Sequence, residues 1–299
     1  MCVARLAPIG YSEVAIIATQ ACEVCSATTS PRTLSAGDVL QQCTACGHLT
    51  RDLAAAPAAH RDQAYGGEPT LDKARLALTY REMVRSGVPD SVFEIGFGTG
   101  SMLRRFVDVG ATVAGADPDQ LGLRVDEVVR QHGDLYACPV EEIPHGSVAV
   151  DLVFGIHVLE HVIDPAKTLR IAHALLKPGG QVQFFTPAGD SAGLTVYGSA
   201  WWMLEDPTHV RFFTAASAEQ ALRAAGFIDI EVRRPLLDSL STDIASIARR
   251  FARKSTPHGV LASKAVLGAA AVTAPLVIAG RAVVPAMRPT LQLIARRPR

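Results

Sequence analysis

Residues 92–103 read VFEIGFGTGSML. The apolar run VFEI enters a glycine-dense turn and a second apolar run leaves it, the pattern of a strand, a ligand-cradling loop and a helix in succession. Glycines fall at 96, 98 and 100, while Ser101 stands where a dinucleotide fingerprint needs its third glycine. Asp117 closes the next apolar run, ATVAGA, 21 residues beyond Gly96, where a carboxylate can accept both hydroxyls of a ribose. Spacing alone does not exclude NAD, although Ser101 counts against it.

Outward from this loop, short apolar runs (SVFEI, ATVAGA, DLYA, AVDLVFGI, QVQFFT) alternate with amphipathic segments (SMLRRFVDVG, QLGLRVDEVVRQ, PAKTLRIAHALLKPGG). That alternation predicts an α/β fold, a doubly wound, mostly parallel sheet covered by helices. Ahead of it, TLDKARLALTYREMVRSG opens with Thr70 as a cap and spaces Leu71, Ala74, Leu78 and Met83 along one side, predicting a lead-in helix.

Four of the six cysteines form two close pairs, Cys22-x2-Cys25 and Cys43-x2-Cys46, separated by seventeen residues. This is the spacing of a closed, structural four-thiolate zinc site, with Gly47 easing the second turn; four reduced thiols without metal are the plainer alternative. A closed site leaves no coordination position for catalysis, nor for His48 or Cys138, and Cys2 and Cys138 read as ordinary thiols. AAAPAAHRDQAYGGEP, rich in Ala, Pro and Gly, then reads as a linker, with a domain boundary near residue 65.

The chain has 299 residues, about half hydrophobic, and zero formal net charge, so the overall balance offers nothing to a nucleic acid. From Arg233 onward there are twelve Lys or Arg against two acids, leaving seventeen against twenty-seven before it. An acidic body with a basic, Ala- and Val-rich tail suggests an anionic surface as a partner. The start of the chain lacks a clean signal-peptide pattern, and paired cysteines suit a reducing compartment, so the expected location is cytoplasmic, with the inner membrane face as a peripheral site.

Taken in order, EIGFGTG, GADPD, DLVFGIHVLEHVIDP, LLKPGG and HVRFFT resemble the class I S-adenosylmethionine-dependent methyltransferases over roughly residues 90–235. The resemblance is to the small-molecule branch that includes the ubiquinone-type O-methyltransferases, and the cysteine knuckle is similar to that of sugar C-methyltransferases. It implies a Rossmann-like, seven-stranded sheet whose last strand, TLQLIARR at 290–297, runs antiparallel to the strand in GFIDIEVRRP. It also implies that Glu94, Gly96, Phe97, Gly98 and Gly100 surround the methionine part of S-adenosylmethionine. Asp117 would hold the ribose, Pro118, Val140 and Glu141 would lie at the adenine end, and Ile156 and His157 would flank the cofactor. Cys138 and Pro139 stand where the family has a Gly-Asp pair.

The implied acceptor is a small molecule: a sugar, polyketide-like or lipid-like metabolite. An oxygen acceptor must lose a proton, and His157, His161 and His209 are the candidate bases at neutral pH. Trp201 and Trp202 are either acceptor-side residues or core. His157-x-x-Glu160-His161 spells an inverted zinc-protease motif, but it follows a strand rather than lying on a long helix. Some ubiquinone-type enzymes hold a divalent cation with a carboxylate at the position of His157 and with residues matching Glu160 and His161; histidine there disfavours magnesium.

The expected division is a zinc-ribbon-like segment and linker (1–65), the core (66–235), a basic, apolar helical insertion (236–289) and a last core strand (290–299). In the insertion, Ile244, Ile247, Ala248 and Phe251 share one face among Arg249, Arg250, Arg253 and Lys254, and sixteen uncharged residues follow Lys264. Peripheral membrane or lipid contact through 243–285 is one reading; a lid or homodimer contact is the other. Outside methyl transfer, the alternatives are a catalytically silent cofactor-binding or zinc-dependent interaction protein and an NAD-dependent oxidoreductase.

Overall fold

The computed structural model describes residues 21–56, 69–118, 123–144, 146–252 and 259–299. Cys2, the start of the chain and most of the linker with its boundary near residue 65 lie outside the described residues.

An amino-terminal lobe carries β1 (Thr29–Thr33), β2 (Val39–Cys43) and β3 (Leu49–Thr50), paired antiparallel in that order. Then α1 (Pro69–Met83) leads into β4 (Ser91–Ile95), α2 (Ser101–Val107), β5 (Thr112–Ala116), α3 (Glu127–His132) and β6 (Gly133–Tyr136). The second half runs β7 (Val150–Ile156), α4 (Pro165–Leu175), β8 (Leu176–Pro187), α5 (Ala192–Tyr197), β9 (Arg211–Phe212), α6 (Ala215–Ala224) and β10 (Ile228–Arg233). The insertion contains α7 (Thr242–Phe251) and α8 (Lys264–Val283) and returns as β11 (Thr290–Arg296).

The main sheet has seven strands in the order β10-β11-β8-β7-β4-β5-β6. β4 to β8 pair parallel, and β11 runs antiparallel to both β8 and β10. All five residues of β4 are buried, as a parallel strand covered on both faces requires. Because successive strand residues face opposite ways, Phe184 packs with Leu169, Ala172 and Leu222 of α4 and α6, whereas Phe185 packs with Met83, Phe106 and Phe154 on the face of α1 and α2.

Two helices depart from their sequence reading, and α7 shows which of its faces is covered. In place of a helix over 120–131, α3 starts at Glu127, because the Asp126 carboxylate caps it by accepting from the Val128 and Val129 amides. In α1 the inward stripe includes Leu76, Tyr80 and Met83 while Ala74 is exposed. In α7 the small residues Thr242, Ala245 and Ser246 are buried, and Ile247 and Phe251 point outward.

The lobe is not a bead on a linker. β3 pairs with β9, so its sheet runs β1-β2-β3-β9 and borrows its last strand from the core. Arg211 of β9, fully buried, donates to Glu23 through Nε at 2.8 Å, and Thr214 Oγ1 donates to the Cys46 carbonyl at 2.7 Å. Burial alone would raise the Glu23 carboxyl, but the Arg211 and His48 hydrogen bonds hold it at about 2.

Candidate active site

The sheet order reverses between β5 and β7, on either side of β4, which places the ligand crevice at the carboxyl ends of these strands. On the β4–β5 side the loop is shaped by backbone: Gly96, Gly98 and Gly100 have φ of +74°, +50° and +74°, in the left-handed region that glycine occupies freely. A Cβ on Gly96 would lie 2.8 Å from Val158 Cγ2. The Gly98 amide donates to Asp117 Oδ2 at 2.8 Å, so the two strand ends close on one another. Phe97 turns back onto the sheet, within 3.0 Å of where a Cβ on Gly115 would sit.

Beneath this loop Glu94 is buried, and its Oε2 has no hydrogen-bond partner. Burial, reinforced by the Asp117 charge, pushes its carboxyl well above the ordinary range. A cation brought to this spot would relieve that cost. Pro118 follows Asp117, half-buried, and Val140 is buried at the start of a short 3-10 turn. The Glu141 carboxylate accepts from Thr168 of α4.

Across the crevice the construction is by side chains. Ile156 ends β7 beside Phe185. His157 adopts φ +55°, costly for a residue with a Cβ, and is fixed by its amide donating to the Phe185 carbonyl at 2.8 Å. Its Nδ1 lies 3.0 Å from Oε1 of the fully buried Glu160, and its Nε2 lies 3.9 Å from Asp238 Oδ2. Thr186 Oγ1 donates to the other Glu160 oxygen at 3.1 Å.

His161 Nδ1 is 3.1 Å from the Thr208 carbonyl, and its ring meets that of His209 edge-on at 4.7 Å. His209 Nδ1 donates to the Met203 carbonyl at 2.7 Å, which leaves Nε2 as the acceptor nitrogen, 3.9 Å from Glu160 Oε1 and 3.8 Å from Asp206 Oδ2. Burial would raise Glu160, but the His157 hydrogen bond and the charges of His157, His161 and His209 hold it at about 2. Asp238, also buried, is likewise lowered: the fields of His157 and Arg75 and the hydroxyls of Thr290 and Ser239 outweigh desolvation.

The three expected bases therefore converge on one carboxylate, and Glu160, His161 and His209 bring three ligating atoms within 4.8 Å of one another. That donor set, two imidazoles and one carboxylate, suits a zinc-like ion better than magnesium. The inverted-protease reading fails, since His157, Glu160 and His161 lie in the turn between β7 and α4. Trp201 is core: fully buried, it packs with Leu34, Leu40 and Leu49 and against Phe212 at 5.6 Å.

Sequence reasoning missed Thr186, Thr208, Asp206 and Asp238. Asp238 carried a signal, being one of two acids in an otherwise basic tail. A cavity of about 560 Å³ opens next to it, lined by Leu78 and Thr79 of α1, by Phe185, and by Arg234, Leu237 and Arg288.

In the lobe, the sulfurs of Cys22 and Cys46, Cys25 and Cys43, and Cys25 and Cys46 are 3.7, 3.4 and 3.6 Å apart. A zinc tetrahedron with 2.3 Å bonds has edges of about 3.8 Å, so the four thiols fit that ion. Amides of Val24, Ala45 and Cys46 donate to the sulfurs. Without a cation, burial pushes Cys22 up to about 11 and Cys46 higher, whereas Cys43, despite its desolvation, is held at about 6 by the Cys46 and Ala45 amides. His48 is no ligand; its Nε2 lies 2.8 Å from Glu23.

A family model for the methyltransferase domain matches residues 48–232, more than half of the sequence, and the chain belongs to that family. Among curated proteins it is 30% identical over 127 residues to a malonyl-(acyl-carrier protein) O-methyltransferase of Pseudescherichia vulneris, covering 42% of this chain and 50% of that protein. It is 31% identical over 168 residues to a ubiquinone biosynthesis O-methyltransferase of Rhodopseudomonas palustris, covering 51% and 66%. The chain thus spans about half the length of the curated relatives it matches. Haemonchus contortus phosphoethanolamine N-methyltransferase 2, solved in complex with S-adenosyl-L-methionine, superimposes with a TM-score of 0.50 at 19% identity, over 79% of this chain and 54% of that one; the two share a fold.

Proposed function

We propose that this chain is an S-adenosylmethionine-dependent methyltransferase acting on a small-molecule acceptor, with a structural zinc ion in its amino-terminal lobe. The observation that carries the reading is the closed glycine loop standing over a buried carboxylate. Gly98 meets Asp117, and Glu94 Oε2 below lacks a partner. A carboxylate there favours a cationic ligand, such as an amino acid ammonium, and disfavours the pyrophosphate of NAD. The Ser101 hydroxyl, at the position of the missing glycine, is paired with Thr99 at 2.7 Å.

When bound, S-adenosylmethionine supplies an electrophilic methyl group on a sulfonium sulfur. The residues of the chain do the rest. Glu94 and the glycine loop hold the amino acid end, Asp117 accepts the ribose hydroxyls, and Pro118 and Val140 border the base. Since in-line transfer depends on placing the acceptor atom, the cavity beside Asp238 and Phe185, whose volume suits a metabolite, is the acceptor site in this reading. Glu160 orients His157 through Nδ1, which leaves Nε2, toward Asp238, to take an acceptor proton. His161 and His209 share the Glu160 charge and are the alternative bases.

Calorimetric titration with S-adenosylmethionine, S-adenosylhomocysteine and NAD, with zinc content measured on the same sample, tests the reading. Micromolar binding of the first two, none of NAD, and one zinc per chain are expected. Binding of NAD alone would pass the assignment to a dehydrogenase, and cofactor binding without turnover on any metabolite pool would favour a silent binding protein. Stripping the metal with a chelator should loosen the lobe, read as new thiol reactivity, first at Cys43, whose thiol is held at about 6.

A further inference from the structure

We propose that α7 and α8 form a docking face for an anionic lipid bilayer, on which the protein lies without crossing. The face is unusual in what it shows to water. Val272, Leu276 and Val283 on one side of α8 are 80%, 75% and 81% exposed, and Phe251 at the end of α7 is 86% exposed. No charged residue interrupts α8 between Lys264 and Arg281. Soluble proteins seldom leave such a stripe uncovered.

Among the described residues α8 is the one helix long and apolar enough to span a membrane, but its attachments rule that out. At its start, the Val260 amide donates to Glu205 Oε1 at 3.0 Å and Leu261 is buried. Midway, Ala270 is buried. At its end, the buried Arg281 donates to the carbonyls of Asp238 and Ser239 and to Asp243 Oδ2 at 2.8 Å. A helix of twenty residues, about 30 Å long, that is tied to one body at both ends lies along that body. Its free side can only be laid against something.

Charge decides between a bilayer and a second copy. Within α7 and α8 the charged residues are four cations, Arg249, Arg250, Lys264 and Arg281, and one acid, Asp243, which is already paired with Arg281. Arg250 and Lys264 stand exposed at the edge of the apolar helices. A twofold contact would bring this basic edge against itself, whereas an anionic headgroup layer complements it while the aliphatic stripe enters the acyl boundary.

The test is sedimentation of the full chain with vesicles of phosphatidylcholine alone or mixed with phosphatidylglycerol. The wild type should pellet with the mixed vesicles, several-fold less with the neutral ones, and be released by salt. Leu276→Asp, an exposed position whose change leaves cofactor binding intact, should lower the bound fraction about tenfold, and Arg250→Glu with Lys264→Glu should erase the preference for phosphatidylglycerol. A wild type that stays in solution with mixed vesicles, or a Leu276→Asp variant that pellets as well as the wild type, overturns the proposal. So does a soluble dimer that Leu276→Asp converts to monomer, which would assign the face to a second copy.

Discussion

Along the β4–β5 side of the crevice, three glycines with φ between +50° and +74° and one carboxylate gripping a loop amide make the surface. Along the β7–β8 side, a single buried carboxylate, Glu160, gathers His157, His161, His209 and Thr186. The first is backbone geometry held by neighbours in sequence; the second is a charge network whose members come together only when the sheet has formed. The two sides should therefore fail differently: the first chiefly through ligand affinity with small losses of stability, the other through stability itself.

The largest effect is expected at Glu160. Replacing it by glutamine removes the one charge shared by three imidazoles and should cost roughly 3 kcal/mol in urea unfolding at pH 7. Its carboxyl, at about 2 when folded, lies below the ordinary 4.5, so it contributes stability above about 4.5 that disappears as the pH falls toward about 2. The Glu160→Gln variant should lose that acid limb, and an unaltered pH–stability curve would show that the network carries no charge of consequence.

Asp117→Ala comes next. It should weaken S-adenosylmethionine binding by roughly 1 to 3 kcal/mol, read by calorimetry, while the urea midpoint barely moves. Equal affinity in the variant would break the assignment of the ribose. The smallest effect, about 1 kcal/mol in stability, is expected for Gly98→Ala, whose new Cβ would find only Leu123 at an ordinary 3.6 Å and whose strain is that of a left-handed alanine. Gly96→Ala should cost more, because its Cβ would press on Val158 at 2.8 Å. If the two glycines prove equivalent, the loop is less tightly built than these contacts require.

The same division governs what could be read from sequence. The five parallel strands, the Gly96–Asp117 spacing and the cysteine pairs are local patterns, and each appears where it was expected. The start of α3 was legible too, since Asp126 before Glu127 is a cap, but the amphipathic run ahead of it masked the signal. The β3–β9 pairing involves two residues on each strand, too few for any periodicity to register. For Trp201 the sequence left pocket and core open, because its burial depends on Leu34 and Leu40, more than 150 positions away in the chain. Asp238 and Asp243 were counted as charges and turned out to be partners of other groups, the buried Asp238 of His157 and the partly buried Asp243 of Arg281.

The strand shared between lobe and core bears on modularity. A chain trimmed to begin after the linker would keep every residue named along the crevice, and would look like a minimal version of the protein. It would also strip β9 of its neighbour, exposing an unpaired edge of the kind that recruits other chains, and would leave the Arg211 guanidinium buried without Glu23. The lobe is better regarded as the keystone of the segment that carries Asp206 and His209, whose carbonyls Arg51 holds in place.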